Sequence, residues 1–203
     1  MTSKLSAKGV AVYRGERCLL QNLDFALNPG ELLKLDGHNG SGKTSLMRAI
    51  AGLAEIEEGE IRWNGAPIRE QRQSFQNQLV WLGHRIGLKN DLTLIENLRF
   101  EMSLRRASDR DLDEVLSYVG VERLKRLPLR VLSAGQQRRV ALARMLLSAA
   151  ELWMLDEPFT NLDRDGRALV LQLVAEHLSA GGMTIMAAHQ EVDIDAPIST
   201  IRL

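Results

Sequence analysis

The pattern of hydrophobic and polar positions along the chain predicts an α/β protein. Short apolar runs, which are typical of strands, occur at residues 9–13, 23–27, 31–36, 79–82, 152–155 and 183–188. Helical periodicity covers residues 43–52, where Leu46, Ile50 and Leu53 share one face. A strand, a glycine-rich loop and a helix therefore follow one another near the start of the chain. The same patterns predict a hairpin at 57–65 and helices at about 132–150 and 165–178.

The middle of the chain is predicted to be mostly helical. Thr93 and Glu96 fit a capping box, in which each side chain accepts a hydrogen bond from the backbone N–H of the other residue. Ser108 is a second candidate helix cap, and Gly120 is a candidate stop signal. We therefore expect two or more helices in this segment.

We expect the whole chain, residues 1–203, to form a single domain. No internal repeat, low-complexity tract or long linker divides the sequence. The helical segment at about 86–140 then forms an insert in a core built from about 1–85 and 141–203.

Composition limits the class of protein. Of the 203 residues, 45% are hydrophobic, which is enough for a full core, and 26 basic residues balance 26 acidic ones. Because there is no excess of positive charge, nothing indicates a nucleic-acid partner. The N-terminus lacks the apolar stretch of a signal peptide, and no apolar run is long enough to span a bilayer. We expect a soluble protein, or one bound peripherally to a membrane that other subunits span.

Cys18 and His177 are expected to have no catalytic or binding role. Cys18 is the sole cysteine, so the chain forms no internal disulfide, and we expect its thiol to be a small buried hydrophobe. His177 falls in the helix predicted at 165–178, where a solvated face is the simpler expectation.

A phosphate-binding loop stands between the strand at 31–36 and the helix that follows. Residues 37–44 read GHNGSGKT, a full match to G-x-x-x-x-G-K-[ST] in the context that this motif requires. Backbone N–H groups of such a loop and the helix N-terminus bind phosphate oxygens, and only the backbone of His38 is needed, so its side chain is expected in solvent. Lys43 would reach the β- and γ-phosphates, and the Thr44 hydroxyl would bind Mg²⁺. The predicted nucleotide-binding residues here are Gly37, His38, Asn39, Gly40, Ser41, Gly42, Lys43, Thr44 and Ser45.

The stretch LWMLDEP at 152–158 narrows the chemistry. A buried strand would deliver Asp156 to the Mg²⁺ beside Thr44, and Glu157 would polarise an attacking water as the general base. No N-K-x-D-like motif for guanine is present, which disfavours a GTPase, and no acceptor pocket for a small-molecule kinase is recognisable. ATP hydrolysis is the favoured reaction, with Lys43 and Glu157 as catalytic candidates.

The motif LSAGQ at 132–136 is followed by the arginine-rich RRVALAR. The chain also contains the phosphate loop, LWMLDEP, NLD at 161–163 and the late His189. With these motifs in this order, the sequence resembles the ATP-binding cassette, or ABC, ATPases. The resemblance implies a P-loop NTPase fold with a RecA-like core, an antiparallel β subdomain and a helical insert. It also implies a head-to-tail dimer in which two ATP molecules lie between the phosphate loop of one copy and the signature of the other. The implied signature residues are Ser133, Ala134, Gly135 and Gln136.

The resemblance assigns three further roles. Asp163 would line the dimer interface, and His189 would contact the γ-phosphate and organise the water with Glu157. Tyr13 would stack on adenine, although the register leaves an ordinary strand residue equally open. Ser133 and Gln136 also fit a plain capping box, so the signature depends on the accompanying motifs.

His84 follows the strand at 79–82, at the position where most members of the family have a glutamine. No second histidine or cysteine stands at ligand spacing, which argues against a zinc site. A histidine there can still donate or accept a hydrogen bond, and its charge can change near neutral pH. We hypothesise that His84 tunes the coupling between nucleotide state and docking to a membrane subunit.

The stretches WLGHRIGLKNDLTLIENLRF, LSAGQQRRVALAR and LDEPFTNLD most closely resemble the ABC ATPases of cytochrome c maturation, or heme export. This resemblance implies a polytopic membrane partner, peripheral location on the cytoplasmic face of the bacterial inner membrane, and ATP hydrolysis that drives heme delivery or release of a heme-loaded chaperone. No C-x-x-C-H motif binds heme here. An ATPase of another ABC transporter, or a soluble ABC ATPase acting on ribosomes or DNA, is the alternative.

Overall fold

The structure is a computed structural model that describes residues 4–14 and 16–203. Its strands are β1 (Leu5–Arg14), β2 (Arg17–Leu27), β3 (Leu32–Asp36), β4 (Glu58–Trp63), β5 (Ala66–Pro67), β6 (Leu79–Leu82), β7 (Leu152–Asp156), β8 (Met183–Ala187) and β9 (Ile198–Arg202). Its α-helices are α1 (Lys43–Ile50), α2 (Arg72–Gln76), α3 (Leu94–Leu104), α4 (Leu112–Tyr118), α5 (Ala134–Leu146) and α6 (Arg164–Ser179). Short 3₁₀ turns at Glu122–Leu124 and Leu129–Val131 connect α4 to α5. The predicted α/β class is confirmed.

The strands form two sheets. An antiparallel sheet has the order β2-β1-β4-β5, and a parallel sheet has the order β6-β7-β8-β3-β9. Strands β7 and β8 are buried along their whole length, as expected of parallel strands covered on both faces. Along β7, Leu152 and Met154 face the core shared with the antiparallel sheet and α1, whereas Trp153 and Leu155 face the core of the helical insert. The sheet therefore separates two apolar cores.

The helical insert is built as the capping signals indicate, with one exception. Thr93 caps α3 in a complete capping box with Glu96, and Gly120 follows α4 with a φ of 73°. Ser108 does not cap a helix, which corrects the prediction: its hydroxyl donates to the carbonyl of Leu146, and Asp111 caps α4 instead. An aspartate is as good a cap as a serine, and it stands directly before the first helical turn.

The division into core and insert stays a prediction. Helix α5 runs from Ala134 to Leu146 without a break, so the boundary expected near residue 140 falls inside one helix.

The sequence predicts Leu53 on the apolar face of α1, but the helix ends at Ile50 and Leu53 is 50% exposed. Gly52, with a φ of 67°, ends this helical run before Leu53 can join it.

The surroundings of Cys18 and His177 differ from those predicted from the sequence. Cys18 is exposed on β2 rather than buried. His177 does not lie on a solvated face: its ring stacks on Trp153 with centroids 4.1 Å apart and planes 8° apart, and Nε2 lies 3.2 Å from the Met183 carbonyl oxygen. A β-carbon at Gly182 would collide with the imidazole, so glycine is the residue that leaves room for this stack. Burial lowers the pKa of His177 to about 4 from the usual 6.5.

We expect His177 to make the fold sensitive to acid. Because its folded-state pKa lies below the unfolded value, the unfolded chain binds the proton more tightly, and stability is lost as the pH falls from about 6.5 towards 4. The loss in the free energy of unfolding between pH 7 and pH 5 should be about 2 kcal/mol. Urea unfolding at both pH values measures it, and His177→Phe, which keeps an aromatic ring beside Trp153, is the control. An equal pH dependence in both proteins would contradict the assignment.

The carboxyl ends of β6, β7, β8 and β3 lie along one edge of the parallel sheet because these neighbouring strands run in the same direction. Ligands of open α/β sheets bind at this edge. No helix of the described residues is long and apolar enough to cross a membrane.

Candidate nucleotide site

The phosphate loop leaves the end of β3 and enters α1. Gly42 caps α1 with a φ of 107°, a conformation that a side chain would strain. A β-carbon on Gly37 would come within 2.7 Å of both the Leu203 carbonyl oxygen and the Ser41 hydroxyl. The two glycines therefore allow the loop to turn tightly, so that the N-terminus of α1 meets the sheet edge.

Lys43 is held inside this loop. The residue is buried, with 6% of its surface exposed. Its Nζ donates to the carbonyl oxygens of Gly37 at 2.6 Å and His38 at 3.0 Å. The His38 side chain is exposed, as expected. A fixed ammonium at the centre of the loop is suited to anion binding.

Thr44 and Asp156 meet although they are far apart in sequence. The Thr44 hydroxyl donates to Asp156 Oδ2 at 2.8 Å, which joins α1 to the end of β7. Burial raises the pKa of the Asp156 carboxyl, while the hydrogen bond from Thr44 and the charge of Lys43 act in the opposite direction. The pair presents two oxygen ligands at the end of the loop.

Glu157 follows Asp156 in an unusual backbone conformation. Its φ is 50°, in the left-handed region that non-glycine residues seldom adopt. Its backbone N–H donates to the Ala187 carbonyl at 2.9 Å, which ties it to the end of β8. The half-buried Glu157 lines the same cavity as Asn39, Gly40, Gly42, Lys43, Thr44 and Ser45. The predicted base and the phosphate loop thus share one cavity.

His189 lies two residues after β8 and reaches the phosphate loop. Its Nε2 is 2.8 Å from Asn39 Oδ1, and both residues are exposed. The structure therefore places His189 beside the phosphate loop, in contact with the Asn39 side chain. Its predicted contact with the γ-phosphate stays a prediction.

The signature residues lie away from this cavity. Ser133 caps α5 in a complete capping box with Gln136, and none of the residues 133–136 lines the cavity of the phosphate loop. Asp163 caps α6 by accepting from the Gly166 N–H at 2.7 Å, and its side chain is 74% exposed. Within one chain, the signature and Asp163 therefore remain available to a second molecule.

His84 and Ala134 line a separate cavity that also reaches Glu157, next to Arg85 and Gln137. His84 is exposed, and its positive charge acts to lower the pKa of Asp156, against the effect of burial. Glu157 thus lies between the phosphate loop and the loop that carries His84.

Sequence reasoning missed three residues around the site. Arg17 and Leu19 of β2 line the nucleotide cavity. The buried Arg138 donates a hydrogen bond to the backbone carbonyl of Glu157. Tyr13 is not among the residues that line this cavity. It pairs with Cys18 across β1 and β2, and a hydrogen bond from its phenol O–H to the Cys18 side chain raises the pKa of Tyr13. Its contact with adenine stays a prediction.

Comparison with known proteins identifies the family. The family described as "ABC transporter" matches residues 20–160. The chain belongs to the ABC transporter family. The ATP-binding cassette fold and the ATP-hydrolysing activity predicted from its motifs are thereby confirmed.

Curated relatives cover nearly the full chain. The cytochrome c biogenesis ATP-binding export protein CcmA of Methylococcus capsulatus is 44% identical over 201 residues, which is 98% of this chain and 97% of the relative. The protein of the same name from Pasteurella multocida is 45% identical, over 95% of this chain and 91% of its own. The similarity between this chain and these relatives thus extends over nearly the whole length of each.

Solved structures of ABC proteins share the fold. A putative ABC transporter ATP-binding protein from Pyrococcus furiosus has a TM-score of 0.84 at 28% identity, covering 98% of this chain and 97% of its own. The dimeric cassette MJ0796 has a TM-score of 0.80 at 23% identity, covering 92% of this chain and 88% of its own. The arrangement of an antiparallel sheet, a parallel sheet and a helical insert is therefore that of an ABC cassette.

Proposed function

We propose that this ABC ATPase powers a transporter of cytochrome c biogenesis from the cytoplasmic face of the bacterial inner membrane. The end-to-end similarity to CcmA proteins supports the pathway. The observation that supports hydrolysis at this site is the cavity shared by Glu157 and the phosphate loop, since a base must lie within reach of the water that it activates.

The phosphate loop binds the ATP phosphates through its backbone N–H groups and Lys43. In the structure Lys43 donates to the Gly37 and His38 carbonyls, and phosphate oxygens are stronger acceptors that would replace them. The ammonium is thereby held where charge develops on the transferred phosphoryl group. Gly40, Ser41 and Ser45 complete the loop.

Thr44 and Asp156 fit a magnesium ion. Both offer oxygen, the ligand that Mg²⁺ prefers, and their oxygens lie 2.8 Å apart. The raised pKa of the Asp156 carboxyl shows that burial penalises its charge, a penalty that a cation would offset. When bound, Mg²⁺ supplies positive charge to the β- and γ-phosphates.

Glu157 takes the proton from the attacking water, and His189 orients the γ-phosphate. The contact between His189 and Asn39 holds the imidazole at the rim of the phosphate loop, and a phosphate oxygen could take the place of Asn39 Oδ1 as its hydrogen-bond partner. The base and the orienting group thus come from the ends of neighbouring strands, β7 and β8.

A second copy completes each site. One helix terminus contributes only about 0.3–1 kcal/mol to anion binding, whereas enzymatic acceleration needs roughly 8 kcal/mol or more. Ser133, Ala134, Gly135 and Gln136 would supply a second helix N-terminus, that of α5, to ATP on the partner copy. Asp163 would lie at the same interface.

The membrane subunit would dock near His84. His84 shares a cavity with Glu157, so a docked segment that moves this loop would act on the hydrolytic centre. We propose that ATP turnover drives a step of heme delivery, such as release of a heme-loaded chaperone from the membrane partner.

Deletion of the gene in its own host tests the pathway. We expect c-type cytochromes, which carry covalent heme, to disappear from heme-stained gels while b-type cytochromes remain. The chain should restore them, and its Glu157→Gln variant should not. Normal c-type cytochromes in the deletion strain, with loss of a different transported compound, would instead assign the chain to another ABC transporter.

A further inference from the structure

Arg138 lies on α5, two residues after the signature, and its side chain contacts the backbone of Glu157 and Pro158. The residue is 4% exposed. Its Nη2 donates to the Glu157 carbonyl at 2.8 Å, and its Nε donates to the Pro158 carbonyl at 3.2 Å. Its Nη1 donates to the Gly83 carbonyl at 2.7 Å. One guanidinium therefore joins α5, the loop after β6 and the loop after β7.

The short contacts of Arg138 are to neutral acceptors. Within residues 4–14 and 16–203 no carboxylate forms an ion pair with it, and burial lowers its pKa to about 10. The charges of Asp156 and Glu157 offset this effect of burial only in part. A buried charge without a direct ion pair is costly, so its contribution to stability is a weak reason for its presence. The planar fork can instead hold several carbonyls in a fixed arrangement, which a lysine ammonium cannot do.

The backbone that Arg138 holds is strained. A non-glycine residue in the left-handed region is sterically disfavoured, and this conformation persists only where the surroundings impose it. At Glu157, with a φ of 50°, the N–H is bonded to Ala187 and the carbonyl to Arg138. Both sides of the strained residue are therefore anchored, and this fixes the direction in which its side chain leaves the backbone.

The Gly83 contact adds a connection to the loop that carries His84. Gly83 directly precedes His84, and His84, Arg138 and Glu157 line one cavity. A shift of this loop would pull on the same guanidinium that holds Glu157.

We propose that Arg138 is a positioning residue that holds Glu157 in its hydrolytic orientation and links it to the backbone next to His84. This inference rests on the proposed role of Glu157 as the base. Arg138 itself does not contact the nucleotide cavity, so its removal should affect the rate of hydrolysis rather than the binding of ATP.

Kinetics of Arg138→Met and Arg138→Lys test the inference in the full chain. We expect Arg138→Met to lower kcat about tenfold, because a small displacement of a catalytic group is sufficient for a loss of this size. KM and the affinity for a fluorescent ATP analogue should change less than about twofold. Arg138→Lys should be intermediate, since it keeps the charge and loses the fork.

Arg144 provides the matched control. It lies on the same helix, is half-buried and donates to a backbone carbonyl, that of Trp81 at 2.8 Å, and its side chain forms no hydrogen bond with residues 156–158. Arg144→Met should cost similar stability in urea unfolding and leave kcat unchanged. An equal kcat in the Arg138→Met and Arg144→Met proteins would overturn the inference.

A double variant separates positioning from a general loss of packing. If Arg138 acts through Glu157, adding Arg138→Met to Glu157→Gln should lower the residual rate by less than about twofold. A full tenfold further loss would mean that Arg138 acts independently of Glu157. Unchanged turnover in Glu157→Gln alone would instead refute the role of Glu157.

Discussion

Glu157→Gln should lower ATP turnover by about 10²-fold or more while ATP binding is retained. The amide preserves the size of the side chain and its position after β7, but it cannot accept a proton from water. The loss corresponds to about 2.7 kcal/mol of transition-state stabilisation. Single-turnover hydrolysis and equilibrium binding of an ATP analogue, measured on the same preparation, separate the two effects.

Glu151→Gln is the matched control for this substitution. Glu151 lies just before β7, at the opposite end of the strand from Glu157, and pairs with Lys4 at 2.5 Å. Removing this partly exposed pair should change stability by no more than about 1 kcal/mol and leave turnover intact. If the Glu157→Gln protein retained its turnover, Glu157 would be excluded as the base. If ATP affinity fell in proportion to the rate of turnover, Glu157 would have a role in binding instead.

The strand, loop and helix unit was predictable from sequence because its signals are local. Each glycine in GHNGSGKT permits a particular turn, and the helix must begin where the loop ends. The strand at 79–82 and the capping boxes of α3 and α5 were likewise found at their observed positions. These features depend on residues that are close together along the chain.

Features that depend on distant residues were not predictable in the same way. The stack of His177 on Trp153 requires α6 to pack beside β7, and periodicity alone does not identify the partner of a helix face. Strand β9 joins the edge of the sheet beside β3, although its sequence, ISTIR, is too short and too polar to predict a strand. The exposed Cys18 depends on which face of β2 meets solvent.

The position of Arg138 illustrates the same limit within the site. The motif RRVALAR places several arginines on one helix, but the sequence does not say which of them is buried. The acceptors of Arg138 are backbone carbonyls, which every residue possesses, so no partner residue type marks the contact. The Thr44 and Asp156 pair was predictable because its chemistry requires specific side chains in recognisable motifs.

Two inactive variants should restore activity to each other on mixing if each site is shared between two copies. Lys43→Ala removes the cation of the phosphate loop, and Ser133→Asp places a negative charge where the signature would face the γ-phosphate. Aspartate caps a helix as well as serine does, so α5 should remain intact. Each variant alone should lose about 10²-fold in turnover.

In a mixed dimer, the intact phosphate loop of the Ser133→Asp chain meets the intact signature of the Lys43→Ala chain. An equal mixture should therefore recover about a quarter of the wild-type rate for independent sites, because random pairing makes half of the dimers mixed and each has one complete site. Mixing Lys43→Ala with a chain that carries both substitutions forms no complete site and is the control. Ser133→Asn, a neutral cap, should retain more activity than Ser133→Asp because it lacks the repelling charge. Cross-linking would show whether the two variant chains associate. If they associate and the rate of the mixture still equals the sum of the component rates at every ratio, the site is not shared, and each chain hydrolyses ATP with its own residues.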